Sequence, residues 1–282
     1  MEEEHITVPY VRSHKRRDGH DPLVMITAYD EPWGRLVDAA GVDLILVGDT
    51  LAEIVLGYED TLHVGMDDMV HHVAAVARAR PRALVIGDMP WMSYHTEPAE
   101  AVRNAARLIR AGAGAVKLEG GRNRLGAVAA ILDAEIPVMG HLGLTPQSLH
   151  AMGGYRVQGR QVDAAESLLA DARALAEAGC FAAVLEGVPD VLAARVTGEI
   201  DVPTVGIGAG PSCDGQVLVL HDLLGMSRRQ APKFVRRYAE VGEIVTKAVS
   251  EYAADVRTCA FPGDHESYHG SAALREAMGS GA

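Results

Sequence analysis

Short apolar runs of strand length recur along the chain, alternating with longer stretches in which apolar residues return every three or four positions. The runs at 23–28, 43–48, 83–87, 115–118, 137–140, 181–185 and 203–207 are predicted strands, with a less regular eighth at 216–221. Segments 66–79, 98–111 and 164–178 carry the helical period. Three places repeat one design: Ala39-Ala40-Gly41 leads to Val47-Gly48-Asp49, Arg110-Ala111-Gly112 to Lys117-Leu118-Glu119, and Glu177-Ala178-Gly179 to Val184-Leu185-Glu186. Each reads as a helix closed by a glycine, where positive φ costs little, followed by a buried strand that ends on a charge. Alternating β and α units imply a parallel sheet with right-handed crossovers. About eight units favour closure over an open sheet, so the expected fold class is α/β, a (β/α)8 TIM barrel.

Length fits that reading, because such barrels use about 250 residues as one domain and this chain has 282. No linker or low-complexity segment divides it. Residues 1–20 read as a partly ordered arm and 21–263 as one barrel that includes a long C-terminal helix from Pro232 to about Val256. Residues 264–282 read as an irregular, His-rich tail. A formal net charge of −12 disfavours a nucleic-acid partner, since phosphate binding needs a basic face. No apolar run reaches the roughly 20 residues that span a bilayer. Three cysteines without metal-type spacing point to reduced thiols, and the charged N-terminus lacks the apolar core of a signal peptide. The expectation is a cytoplasmic protein without a membrane partner.

The charges are informative by position. Strand interiors are apolar, yet their C-terminal ends carry Asp49, Asp88, Lys117, Glu119, His141 and Glu186. In a barrel that face holds the active site. Asp49 and Asp88, from separate strands and without a zinc-type motif nearby, suit a hard, oxygen-preferring ion such as Mg2+, with Glu119 joining directly or through water. The plainer alternative is a helix cap. Lys117 and Glu119 lie two residues apart and so face one side of a strand. The lysine could form a Schiff base, hold a substrate oxygen as the ammonium, or pair with Glu119. Glu186, flanked by apolar residues, suits a general base with a pKa raised by burial. His141 is either a substrate donor or structural. Gly206-Ile207-Gly208-Ala209-Gly210 resembles an anion-cradling barrel loop, or lets the backbone pass close to a ligand. The remaining histidines show no ligand spacing.

At these residues the sequence resembles the ketopantoate hydroxymethyltransferase family. The motifs that carry the resemblance are Thr27-Ala28-Tyr29-Asp30, Val47-Gly48-Asp49, Gly57-Tyr58, Asp60-Thr61-Leu62, Gly87-Asp88-Met89-Pro90 and Val116-Lys117-Leu118-Glu119-Gly120. Further along are Gly140 to Ser148 (GHLGLTPQS), Gly153 to Arg160 (GGYRVQGR), Leu185-Glu186, the glycine loop and Asp214-Gly215-Gln216. The resemblance implies a barrel of the phosphoenolpyruvate/pyruvate type and a homo-oligomer, commonly a decamer. It also implies Mg2+ held through Asp49 and Asp88 with Glu119 nearby, a 2-oxo acid contacted by residue 50 and Lys117, and Glu186 as catalytic base. The implied reaction moves a hydroxymethyl group from 5,10-methylenetetrahydrofolate, the co-substrate, to the Mg-bound enolate of 3-methyl-2-oxobutanoate, giving 2-dehydropantoate for pantothenate biosynthesis.

Four positions depart from the family pattern: Thr50 stands for Ser, Ala52 for Gly, His63 for Pro, and Glu53 is unusual. They cluster after the second strand, where a methyl group changes binding by about 1–3 kcal/mol. Two other readings follow, a related Mg2+ enzyme making or breaking a C–C bond on a different 2-oxo acid, and a catalytically silent binding protein.

Overall fold

The computed structural model describes residues 5–227 and 231–279. Eight strands follow one another round a closed barrel: β1 (Leu23–Thr27), β2 (Leu44–Val47), β3 (Leu84–Asp88), β4 (Ala115–Glu119), β5 (Val138–Gly143), β6 (Ala182–Glu186), β7 (Thr204–Ile207) and β8 (Gly215–Leu218). Each pairs in parallel with the next, and β8 returns to β1 through the register Leu23↔Gly215 to Ile26↔Leu218. Six helices follow the first six strands: α1 (Glu31–Ala39), α2 (Met66–Ala77), α3 (Pro98–Ala111), α4 (Leu125–Asp133), α5 (Val162–Ala178) and α6 (Asp190–Glu199). The three repeated glycines behave as the pattern requires, with φ of +82° at Gly41, +111° at Gly112 and +107° at Gly179.

Period-two alternation along the strands separates two cores. Leu44, Leu46, Leu84, Ile86, Met139, Val184, Val205 and Val217 fill the barrel. Their neighbours Ile45, Val47, Val85, Val116, Val138 and Leu185 pack outward under the helices. The first described residues close the bottom of the barrel. Ile6 and Val11 join the inner cluster, and full burial of such a valine contributes about 1.5–3 kcal/mol. Lys15, 2% exposed, donates to Asp214 Oδ2 at 2.8 Å and to the carbonyls of Thr197 and Val202 at 2.7 and 3.2 Å.

Two features depart from strict alternation. The segment 208–214 between β7 and β8 contains no helix. The last long helix, α7 (Val241–Arg257), starts later than Pro232 because Tyr238 N–H and Val241 N–H donate to the carbonyls of Leu223 and Leu224 rather than to a helical ladder. Helix α7 buries none of its residues, and Val245, Val249, Tyr252 and Val256, all on one face, are exposed.

Candidate active site

The same alternation that fills the barrel aims charges at its upper end. On β4 the inward series is Ala115, Lys117, Glu119; on β5 it is Met139, His141; on β6 it is Ala182, Val184, Glu186. Register then makes neighbours of Asp88 and Lys117, and of Glu119 and His141. Asp49, just past β2, completes the group, and Thr50 opens the helical turn Leu51–Ile54 beside it. Asp49, Thr50, Asp88, Lys117, Glu119, His141 and Glu186 thus line one cavity of about 50 Å³, whose wall also includes Leu46, Val184, Ile207, Val217 and Val219.

The geometry distinguishes the readings left open for each side chain. Lys117 Nζ lies 2.8 Å from Asp88 Oδ2. Burial lowers its pKa, but the charges of Asp88, Glu119 and Asp49 outweigh burial and hold it above the ordinary lysine value. A lysine kept protonated is no nucleophile, which disfavours the Schiff base. His141 Nε2 is 3.2 Å from Glu186 Oε2, and its Nδ1 is 3.5 Å from Glu119 Oε1 and 3.3 Å from Lys117 Nζ. Burial and Lys117 oppose its charge, yet contact with Glu119 and Glu186 raises its pKa to about 9. Glu186 is therefore not in the apolar setting its flanking sequence suggests. An imidazole faces it, and its side chain is 18% exposed.

Four carboxylates here face two cationic groups. Burial, with Asp88 and Glu119 nearby, pushes the Asp49 pKa well up. Two buried carboxylate oxygens, Asp88 Oδ1 and Glu119 Oε1, have no hydrogen-bond partner. Excess negative charge and orphaned hard oxygens fit a divalent cation of the Mg2+ type. Among the described residues no three His, Cys, Asp or Glu side chains are gathered as a ready-made metal cluster.

The model of the family described as ketopantoate hydroxymethyltransferase matches residues 5–264. The chain belongs to that family. The "3-methyl-2-oxobutanoate hydroxymethyltransferase" of Koribacter versatilis (strain Ellin345) is 55% identical over 255 residues, covering 90% of this chain and 86% of the relative. The protein of the same name from Ignicoccus hospitalis is 54% identical over 250 residues, covering 89% and 95%. Among solved structures, 2,3-dimethylmalate lyase, a PEP mutase/isocitrate lyase superfamily member, superposes with a TM-score of 0.59 at 18% identity over 92% of this chain and 90% of the other. Phosphonopyruvate hydrolase in complex with oxalate and Mg++ also gives 0.59, at 15% identity over 97% and 95%. These likenesses establish the fold as the expected TIM barrel.

In this ketopantoate hydroxymethyltransferase family member, two site residues carry no signal that strand position alone reveals. Gln147 lies in a quoted motif but off the strand ends, and Tyr94 lies in the loop after β3. Their buried hydrogen bonds reach Asp49 and Glu119. In the glycine loop, one position has a packing role. At Gly208, φ is +61° and an added Cβ would stand 2.7 Å from the Phe234 ring, so the glycine admits the chain's own aromatic side chain. Of the family departures, Ala52 is buried in a helical turn, where alanine is favoured. Glu53 accepts from Tyr155 OH at 3.3 Å. His63 stacks on Tyr58 with ring centroids 5.2 Å apart and lies 2.8 Å from Asp60.

Proposed function

We propose that this protein transfers a hydroxymethyl group from 5,10-methylenetetrahydrofolate to 3-methyl-2-oxobutanoate, giving 2-dehydropantoate in pantothenate biosynthesis. Family membership supports the reaction, and the cavity supports the substrate. Its lining pairs Asp49, Asp88, Lys117 and Glu119 for a keto-acid head with Leu46, Val184, Ile207, Val217 and Val219 for a branched aliphatic end. The shared name of the relatives does not favour the alternative of a C–C bond enzyme acting on a different 2-oxo acid.

Asp49 and Asp88 would hold Mg2+, with Glu119 close by. The ion, when bound, supplies positive charge that lowers the energy of an enolate oxygen. Lys117, protonated and fixed against Asp88, donates to the same oxygen from the protein side. Glu186 takes the C3 proton, and the His141 imidazole lies 3.2 Å from its carboxylate as an ion-pair neighbour. The electron pair of the broken C–H bond then forms the bond to the methylene carbon as the first of its two C–N bonds breaks. Water supplies the hydroxyl oxygen as the second C–N bond breaks, and the C3 proton and one proton of the water end on the two folate nitrogens.

The acidic chain works, on this reading, in the cytoplasm with small-molecule partners and without nucleic acid or membrane. Among the described residues no helix is long and apolar enough to cross a bilayer. It assembles as a homo-oligomer, a decamer by family resemblance. The exposed apolar face of α7 supports assembly.

The deciding test is proton NMR of 3-methyl-2-oxobutanoate in D2O with the protein and Mg2+, without folate. Metal-dependent loss of the C3 proton is expected. Silence with this acid but exchange with another would redirect the substrate, and silence with all would return the chain to a binding role.

A further inference from the structure

The Pro146–Ser148 turn after β5 carries Gln147, which is 5% exposed and does not line the cavity. The glutamine is nevertheless tied to two carboxylates that flank the cavity, to Asp49 through its side chain and to Glu119 through its backbone N–H. Gln147 Nε2 donates to Asp49 Oδ2 at 2.8 Å and to the Met89 carbonyl at 2.9 Å. Its backbone N–H donates to Glu119 Oε2 at 3.0 Å. Tyr94 OH, itself buried, accepts from Glu119 N–H at 3.1 Å and donates to Gln147 Oε1 at 2.6 Å.

This arrangement allows the amide one orientation. A carbonyl only accepts, so Met89 requires the NH2 end. The hydroxyl of Tyr94 spends a lone pair on Glu119 N–H, and its proton is then directed at Oε1. Flipping the amide would set Oε1 against both a carbonyl and a carboxylate, with the NH2 group facing the tyrosine. The consequence is a selection among oxygens. Asp49 Oδ2 and Glu119 Oε2 are each committed to Gln147, whereas Glu119 Oε1 is buried without a hydrogen bond and has only the longer 3.5 Å ion-pair contact with His141 Nδ1.

Resting on the reading of the site as a divalent-cation site, we propose that Gln147 is a positioning residue whose side chain, locked by Tyr94, decides which oxygen of Asp49 faces the cation, while its backbone N–H fixes Glu119 Oε2. It touches neither the cavity nor substrate and acts only through those carboxylates. Partners that orient metal ligands characteristically change metal affinity by about 10–100-fold when removed.

The test uses the full chain and Mn2+ alone as the probe, with free Mn2+ read by electron paramagnetic resonance. Gln147→Met is expected to weaken Mn2+ binding by about 10–100-fold, and Tyr94→Phe on the order of 10-fold by releasing the amide. Because the two act as one unit, adding Tyr94→Phe to Gln147→Met should weaken binding no further. A merely structural role would lower the melting temperature in EDTA and leave Mn2+ affinity unchanged. Should Gln147→Met fail to fold, Tyr94→Phe decides alone, since phenylalanine keeps the ring packed. Wild-type binding with unchanged affinity in the variants, or additive losses in the double variant, overturns the positioning role. Absence of Mn2+ binding by the wild type overturns the cation site and this inference with it.

Discussion

Replacing Glu186 by glutamine separates basicity from shape. The carboxylate sits at the cavity wall with Oε2 3.2 Å from His141 Nε2. An amide of the same size still offers that imidazole an acceptor, so His141 and the walls need not move, but the proposed base is gone. A positioned general base contributes roughly 10²–10⁴ in rate, or about 2.7–5.4 kcal/mol of barrier at 1.36 kcal/mol per tenfold. C3-proton exchange in D2O should fall by that factor. Binding is checked separately by melting. Saturation at about 100 times Kd stabilises by about 2.7 kcal/mol, a rise of roughly 5–10 °C for a chain of this size, and the variant should retain it. Exchange within tenfold of wild type, with the melting shift intact, would refute Glu186 as the base and direct attention to His141. Loss of both signals would instead mean that the glutamine had broken the pocket.

Other substitutions probe different parts of the argument. Lys15→Met leaves the 1% exposed Asp214 without its cation, and urea unfolding should show a loss of about 3–5 kcal/mol; an unchanged midpoint would mean that the arm does not clamp the barrel. Burial, then Arg124, lowers the His95 pKa to about 4. Its folded value lies below the unfolded 6.5, so its contribution is intact above about pH 6.5 and is lost as pH falls towards 4. Melting temperature should therefore drop less between pH 7 and pH 5 in His95→Gln than in wild type. Thr50→Ser removes a methyl group from the cavity wall and should favour the bulkier 3-methyl-2-oxopentanoate over 3-methyl-2-oxobutanoate on the order of 10-fold in relative kcat/KM, measured by steady-state kinetics. On the proposed assembly, Val249→Glu on the exposed face of α7 should lower the mass seen by light scattering relative to wild type; an unchanged mass would remove that face from the assembly.

The barrel was legible because its signal is local. A strand buried on both faces needs a continuous apolar run, a helix over it needs the 3.6 period, and Gly41, Gly112 and Gly179 mark where one gives way to the other. The polar ends of the strands were legible for the same reason: period two places Lys117 and Glu119 on one side, and six charges at strand ends converge only if the sheet closes. Family motifs added which charge takes which part, a matter that spacing alone left open.

What only the tertiary structure decided are relations between segments far apart in sequence. His141 stands between Glu119 and Glu186 because β5 lies between β4 and β6, and that contact, absent from any local pattern, replaces the apolar setting read for Glu186. Gln147 reaches Asp49 across 98 positions, and Lys15 reaches Asp214 across 199. Phe234 packs where a Cβ at Gly208 would stand, a contact between segments that no local pattern gives. The late start of α7 follows from backbone groups pairing with Leu223 and Leu224. Local periodicity specifies which face of an element is buried. Hydrogen bonds and ion pairs depend on which faces meet, and chain closure brings those together only in the folded barrel.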